Sequence, residues 1–197
     1  VKRIFDITVA SFLIIFFLPV WLLIILLIKL TSKGSVFYKT KVIGKDEKEF
    51  IWYKFRTMYT NCDDSIHREL VKGIIKDGKS GEKLNNDKRI TSIGRILRKF
   101  SIDEFPQVLN VIKGDMSLVG PHPKLQYEFA MMEEWQKRRF MVTPGITGIW
   151  QTQGRNEVNF NDEIVLDIYY IENRSFALDL EIIIQTIPIV ILGRTGK

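Results

Sequence analysis

The chain has 197 residues, enough for one ordinary core with an appended element. Its 29 Lys and Arg against 23 Asp and Glu leave a net charge of +6, which suits nucleic acid, anionic lipid or phosphorylated small molecules and does not choose among them. A single cysteine, Cys62, excludes an intrachain disulfide framework, and only two histidines, His67 and His122, argue against a zinc site built from His and Cys. Cys62 lies in a polar loop with no histidine close by, so its thiol reads as incidental. The first residue is Val1 rather than Met, which fits a piece of a longer chain.

Residues 7–28, ITVASFLIIFFLPVWLLIILLI, are almost wholly apolar. A run of about 20 such residues can cross a bilayer. Pro19 near its middle should kink it, and each piece is then only half a bilayer long. Both flanks are basic, with Lys2 and Arg3 before and Lys29, Lys33, Lys39 and Lys41 after. The positive-inside tendency then asks both ends to stay on the cytoplasmic side. A helix that enters, bends at Pro19 and returns meets all three conditions. A single span with a tolerated proline is the rival reading, since prolines are common in membrane helices.

Residues 34–60 change character. Val36-Phe37-Tyr38 and Phe50-Ile51-Trp52-Tyr53-Lys54-Phe55 are β-branched and aromatic, with Gly44-Lys45-Asp46 as turn chemistry between them. This predicts a β-hairpin. Lys54 and Arg56 at its close, followed by Thr57, could hold phosphates; a solvated strand end is the plainer meaning. Asp63 to Lys76 is a helix candidate, and Asp77 to Asp87 reads as a surface loop.

Thr91 or Ser92 can cap a short basic helix bearing Arg95, Arg98 and Lys99. Ser101-Ile102-Asp103-Glu104-Phe105-Pro106 follows. A carboxylate near a helix start and several cations is placed to meet a phosphate, and an Asp there can attack phosphorus. Ser101 and Glu104 also have the spacing of a capping box, in which Glu104 only satisfies backbone N–H groups. On a helix, sequence neighbours point about 100° apart, so separate roles for Asp103 and Glu104 fit better than a shared proton.

Val108 to Lys113 is a helix ended by Gly114. Met116 to Val119 is a short apolar run, stopped by Gly120-Pro121-His122-Pro123, where two prolines fix the direction in which His122 is presented. Leu125 to Phe140 is expected as one helix, whose Trp135 to Phe140 end suits an anionic headgroup surface. Thr143 to Gly148 is a turn-rich loop, and Arg155 is placed to bind an anion. Asn161 to Asn173 is helical; Asp167 within it is costly if buried unpaired. Asp179 to Leu192 is a very apolar helix containing Pro188.

Taken in order, the segments Lys54-Phe55-Arg56-Thr57-Met58, Ser101 to Gln107, Lys113 to Pro121, Pro144 to Gly148, Gly154-Arg155 and Leu178-Asp179, after an apolar helix broken by proline, closely resemble the bacterial sugar transferases, the monotopic phosphoglycosyl transferases. The resemblance covers essentially the whole chain. It implies an α+β, mostly helical fold: a re-entrant membrane helix broken at Pro19 in residues 1–33, then one cytosolic catalytic domain in residues 34–197 with a small β-hairpin and interfacial amphipathic helices. It implies transfer of a sugar-1-phosphate from a UDP-sugar to undecaprenyl or another polyprenyl phosphate, with release of UMP and a need for Mg²⁺. Asp103 matches the nucleophile and a metal ligand, Glu104 the adjacent acid, and Arg98 a basic residue near them. Lys54, Arg56, Pro121, His122, Pro123, Arg155 and Asp167 are the candidate substrate-binding residues. One departure stands out: the family usually has Pro-Arg-Pro where this chain has Pro121-His122-Pro123. Histidine donates a hydrogen bond but carries full charge only at acid pH. The expected site of action is the cytoplasmic face of the bacterial plasma membrane.

A membrane-surface scaffold that holds anionic lipid without catalysis also explains the apolar segment and the lysines. It gives no reason for Asp103 and Glu104 to sit among so many matching segments. A nucleic-acid module is disfavoured by the membrane-length apolar run and the lack of any recognisable binding motif.

Overall fold

A computed structural model describes residues 1–60, 62, 65–77, 87–153 and 159–192. The apolar N-terminus forms two helices, α1 (Lys2–Phe16) and α2 (Leu18–Thr31), which meet at 63°. The bend falls at Phe17. Pro19 sits in the first turn of α2, where its missing N–H costs no helical bond. No single helix among the described residues is long and apolar enough to cross a membrane; the bent pair passes that test only together. Much of the pair's apolar surface is uncovered, including Phe12, Ile15, Phe16, Leu22, Leu23 and Leu26.

The predicted hairpin is present as antiparallel strands β1 (Phe37–Ile43) and β2 (Glu49–Phe55), with Phe37 opposite Phe55 and Val42 opposite Phe50. A tight turn over Lys45–Glu47 joins them, with Asp46 and Glu47 at positive φ. Helices α3 (Ser65–Asp77), α4 (Ser92–Lys99) and α5 (Val108–Lys113) follow, then β3 (Ser117–Val119). The capping expected for α4 is made, with Gly94 N–H donating to Thr91 Oγ1 at 3.0 Å.

The single helix expected over Leu125–Phe140 does not form. Its place is taken by a two-residue strand, β4 (Lys124–Leu125), then short helices α6 (Gln126–Phe129) and α7 (Glu134–Lys137) and a 3-10 turn. Two things break it. β4 pairs with β1, adding a third strand to the hairpin, and Glu133 starts a new helix in a capping box with Gln136. The interruption lets Phe129, Met132 and Phe140 meet Ile43, Phe160 and Ile164 in a small second core. The chain continues through β5 (Gly145–Thr147), parallel to β3, then α8 (Ile149–Gln153), α9 (Phe160–Asn173) and α10 (Phe176–Leu192).

The larger core does not stop at the apolar N-terminal segment. Ala10, Trp21, Ile24 and Ile28 are buried together with Phe55, Leu97, Val111, Met116 and Ile182. Polar groups join the same two parts. Lys2 donates to Asp179 at 2.6 Å, Ser117 donates to Asp6 at 2.8 Å, and Arg3 donates to the last carbonyls of α5. Val111 O also accepts from Gly114 N–H at 3.1 Å, so Arg3 and the glycine together close the end of α5.

Candidate active site

Side chains two apart on a strand share a face, so Trp52 and Lys54 of β2 project together. The Lys54 ammonium lies over the Trp52 ring, 3.8 Å from its centre. Against this face packs a 3-10 segment, Ile102–Gln107, carrying Asp103 and Glu104. Its register on β2 is fixed by Asn110, fully buried, which accepts from Tyr53 N–H at 3.2 Å and donates to Ile51 O at 2.6 Å. Asn110 thus serves the free edge of β2 as another strand would.

The expected capping box is not made. Ser101 is left-handed, with φ 55°, and caps nothing through its side chain. That conformation is uncommon outside glycine and carries strain. Glu104 turns outward and accepts from Lys54 Nζ at 2.8 Å. Burial alone would raise the Glu104 pKa; the Lys54 ammonium reverses this and holds it at about 2. Asp103 is different. It is 9% exposed and, among the described residues, makes no ion pair. Burial pushes its pKa above the usual carboxylate value, Glu104 pushes it further, and Lys54 and Arg98 pull it part of the way back. The neighbours thus differ in environment: Glu104 is paired with Lys54, whereas Asp103, among the described residues, makes no ion pair.

Arg98 reaches this region from α4. That helix begins on the backbone of Thr57, where Thr91 N–H donates to Thr57 O at 2.9 Å. The approach is so close that a Cβ on Gly94 would lie 2.1 Å from the same oxygen. Arg98 Nε donates to Thr57 Oγ1 at 2.9 Å, and the residue as a whole is exposed.

His122 lies against the same strand, β2, at Trp52. Its ring stands edge-on to Trp52 at 5.2 Å and to Trp150 at 6.4 Å. Gln151 of α8 lies 3.1 Å from its Nδ1, and Arg139 donates to its carbonyl at 3.0 Å. Burial lowers its pKa to about 4 against the pull of Glu104, with Lys54 and Lys124 adding to the effect, so the ring is neutral at pH 7. Pro121 and Pro123 are buried on either side. Pro121 O accepts from Gly145 N–H at 2.9 Å, a crossing so tight that a Cβ on Gly145 would meet Gly120 N at 2.0 Å.

Two candidate residues have other partners. Arg56 is buried and donates to Ser32 O at 2.9 Å and to Lys33 O. It caps the end of α2. Asp167 is also buried and pairs with Arg139 at 2.6 Å. Arg139 in turn pairs with Glu163, which pairs with Lys124 at 2.8 Å. Burial pushes Asp167 up to about 7, while Lys124 and Arg139 hold Glu163 below its usual value. This closed group of four supports the His122 turn through Arg139. Of the basic residues in Trp135 to Phe140, Arg139 is turned inward, while Arg138 pairs with Glu172 on the exposed surface. Arg155 lies outside the described residues. Sequence reasoning missed Trp52, Asn110, Arg139 and Gln151. Only Trp52 carried a signal, its two-residue spacing from Lys54.

Among the described residues no group of three or more His, Cys, Asp or Glu is placed to hold a metal. The hard oxygens nearest the pocket are those of Asp103 and Glu104. Mg²⁺ commonly binds through one or two carboxylates and completes its shell with water and substrate phosphates, a mode this donor set fits through Asp103.

Among the described residues Asp103 thus makes no ion pair, while Lys54 and Arg98 oppose the effect of its burial. The chain belongs to the bacterial sugar transferase family, whose sequence model matches residues 1–193. It is similar to the exopolysaccharide production protein ExoY of Rhizobium meliloti, 39% identical over 195 residues, 98% of this chain and 86% of that protein. The sugar transferase EpsL of Bacillus subtilis is 40% identical over 192 residues, 98% of this chain and 88% of EpsL. The undecaprenyl-phosphate galactose phosphotransferase of Salmonella typhimurium is 38% identical over 198 residues, 99% of this chain but 41% of that longer protein. The protein is therefore an enzyme, a transferase.

Proposed function

We propose that the protein transfers a sugar-1-phosphate from a UDP-sugar to undecaprenyl phosphate, at the cytoplasmic face of the plasma membrane, as an early step in building a polysaccharide. The observation that carries this reading is the unpaired, buried Asp103 beside the Lys54–Glu104 pair and Arg98. In its ionised form an Asp103 oxygen attacks the phosphorus that bears the sugar. The bond from that phosphorus to the UMP oxygen breaks and UMP leaves, giving an aspartyl-phosphosugar. An oxygen of the lipid phosphate then attacks the same phosphorus, and the Asp103 carboxylate departs. A covalent intermediate lets a water-soluble donor and a lipid acceptor react in turn at one site.

Positioning and charge neutralisation dominate such chemistry. Arg98 and Lys54 are the cations at hand. Lys54 is bound to Glu104 in the free enzyme; when it turns to a substrate phosphate, Glu104 loses the charge that holds its pKa down. Its basicity then rises at the stage when the lipid phosphate must lose a proton. Asp103 would hold Mg²⁺, which when bound neutralises charge on the donor's phosphates. The bent α1–α2 pair supports a re-entrant anchor, with its exposed apolar side chains in the lipid.

The test is UMP release by detergent-solubilised protein given Mg²⁺, undecaprenyl phosphate and a panel of UDP-sugars. Release with one donor, abolished in Asp103→Asn, is the expected result. A variant with full activity would sink the covalent mechanism and favour a lipid-binding scaffold.

A further inference from the structure

His122 is held at three points, and only one of them acts on its ring nitrogens. The flanking prolines and the Arg139 bond to its carbonyl fix the backbone. The Trp52 and Trp150 edges confine the ring. Gln151, 9% exposed on α8, contacts Nδ1. The Gln151 amide nitrogen lies 3.1 Å from Nδ1 and 3.0 Å from Ile146 O. A carbonyl oxygen can only accept, so the group facing Ile146 must be the NH₂ end of the amide. The same NH₂ then donates to Nδ1, which must present its lone pair, and the proton of the neutral imidazole lies on Nε2, at the far edge of the ring.

We propose that Gln151 is a positioning residue that locks His122 in the Nε2–H tautomer, so that the ring offers a hydrogen-bond donor to an oxygen of the nucleotide-sugar. This rests on the reading of the protein as a UDP-sugar transferase. An arginine at this position would bring donors in every orientation and a permanent charge. A neutral histidine has one N–H, and whether it faces a ligand depends wholly on what the other nitrogen does. The charged groups around the ring are Lys54 on β2, Glu104 on the 3-10 segment, Lys124 on β4 and Glu163 on α9. Arg139 adds a further cation at the carbonyl, and among the described residues the Gln151 amide is the group in contact with a ring nitrogen.

Long-range ¹H–¹⁵N NMR of the full chain, labelled with ¹⁵N-histidine in detergent, reads the tautomer directly. The chain has two histidines, so His67→Gln assigns the signals. The expected result at pH 7.5 is a protonated Nε2 and a bare Nδ1 for His122. In Gln151→Glu the carboxylate can only accept, so the proton should move to Nδ1. Kinetics provide a second arm. Gln151→Met should raise the KM for the UDP-sugar about tenfold, the cost of roughly one hydrogen bond, with kcat within about twofold. In a His122→Arg background, where no tautomer needs fixing, the same substitution should cost less than about twofold, a coupling that a merely structural role would not give. A wild type with Nδ1–H, or equal costs in both backgrounds, overturns the proposal. UDP binding measured calorimetrically separates the two failures. A wild type that neither binds UDP nor releases UMP defeats the transferase reading, whereas one that does both while holding His122 as Nδ1–H defeats only the role of Gln151.

Discussion

Two clusters of buried charge lie on either side of the Pro121-His122-Pro123 turn, and they are built on opposite plans. Behind the turn, Arg139, Lys124, Glu163 and Asp167 form a closed set, two cations against two carboxylates. In front of it, Lys54 answers Glu104 while Asp103, among the described residues, has no ion pair, and Arg98 is exposed. Burying a charge is costly, and a complete set of partners turns that cost into rigid scaffolding. A carboxylate buried without such a partner is kept at raised pKa, ready for a ligand that supplies the missing charge. Among these residues, the site is recognised less by which charges are present than by which are left unanswered.

The contrast is broken most severely by exchanging the roles. Asp103→Asn should lower UMP release by about a thousandfold or more, the scale expected when a nucleophile is lost, yet leave the thermal midpoint nearly unchanged because no partner is orphaned. Arg139→Met should do the reverse. It strands Asp167, leaves Glu163 with Lys124 alone, and should cost about 3–5 kcal/mol of stability in denaturant titrations, with loss of activity following the loss of folded protein.

A subtler pair of variants shifts the pH profile. Asp103 must be ionised to attack, so kcat/KM should rise with pH through its raised pKa. Lys54 holds that pKa down and Glu104 holds it up. Lys54→Met should therefore move the acid limb to higher pH and Glu104→Gln to lower pH, beneath whatever loss in maximal rate each causes. Shifts in the same direction would show that the limb belongs to another group. The smallest effect belongs to Lys41→Ala. The Lys41–Glu49 pair is largely exposed, with side chains 66% and 36% accessible, and its loss should change stability by no more than about 0.5 kcal/mol.

The legibility of these features differed by element. The β1–β2 hairpin was readable because aromatic and β-branched runs flank plain turn chemistry. The N-terminal break was readable from Pro19, though the bend itself lies at Phe17. The fragmentation of 125–140 was not, because Ala130 to Glu133 contain no glycine or proline and the break is imposed by pairing of Lys124–Leu125 with β1. At the site, spacing alone offered a capping box for Ser101 and Glu104, and only the resemblance pointed to chemistry. Arg139, Asn110 and Gln151 are ordinary polar residues in sequence. Their roles arise from contacts with residues far along the chain or from burial that no local pattern encodes.

The elbow of the apolar hairpin has a consequence for how the protein is made. Phe17 at the bend and Trp21 one turn beyond it both stand edge-on to Phe105, at 5.4 and 5.8 Å, two residues from Asp103. A ribosome produces the hairpin well before it produces Phe105, an interval of roughly several seconds at ordinary rates of synthesis. As the re-entrant anchor proposed above, the hairpin would meet lipid before the rings that brace its angle exist. Its final bend and the placement of the reactive carboxylate are then set in one late event, when Phe105 docks into the elbow.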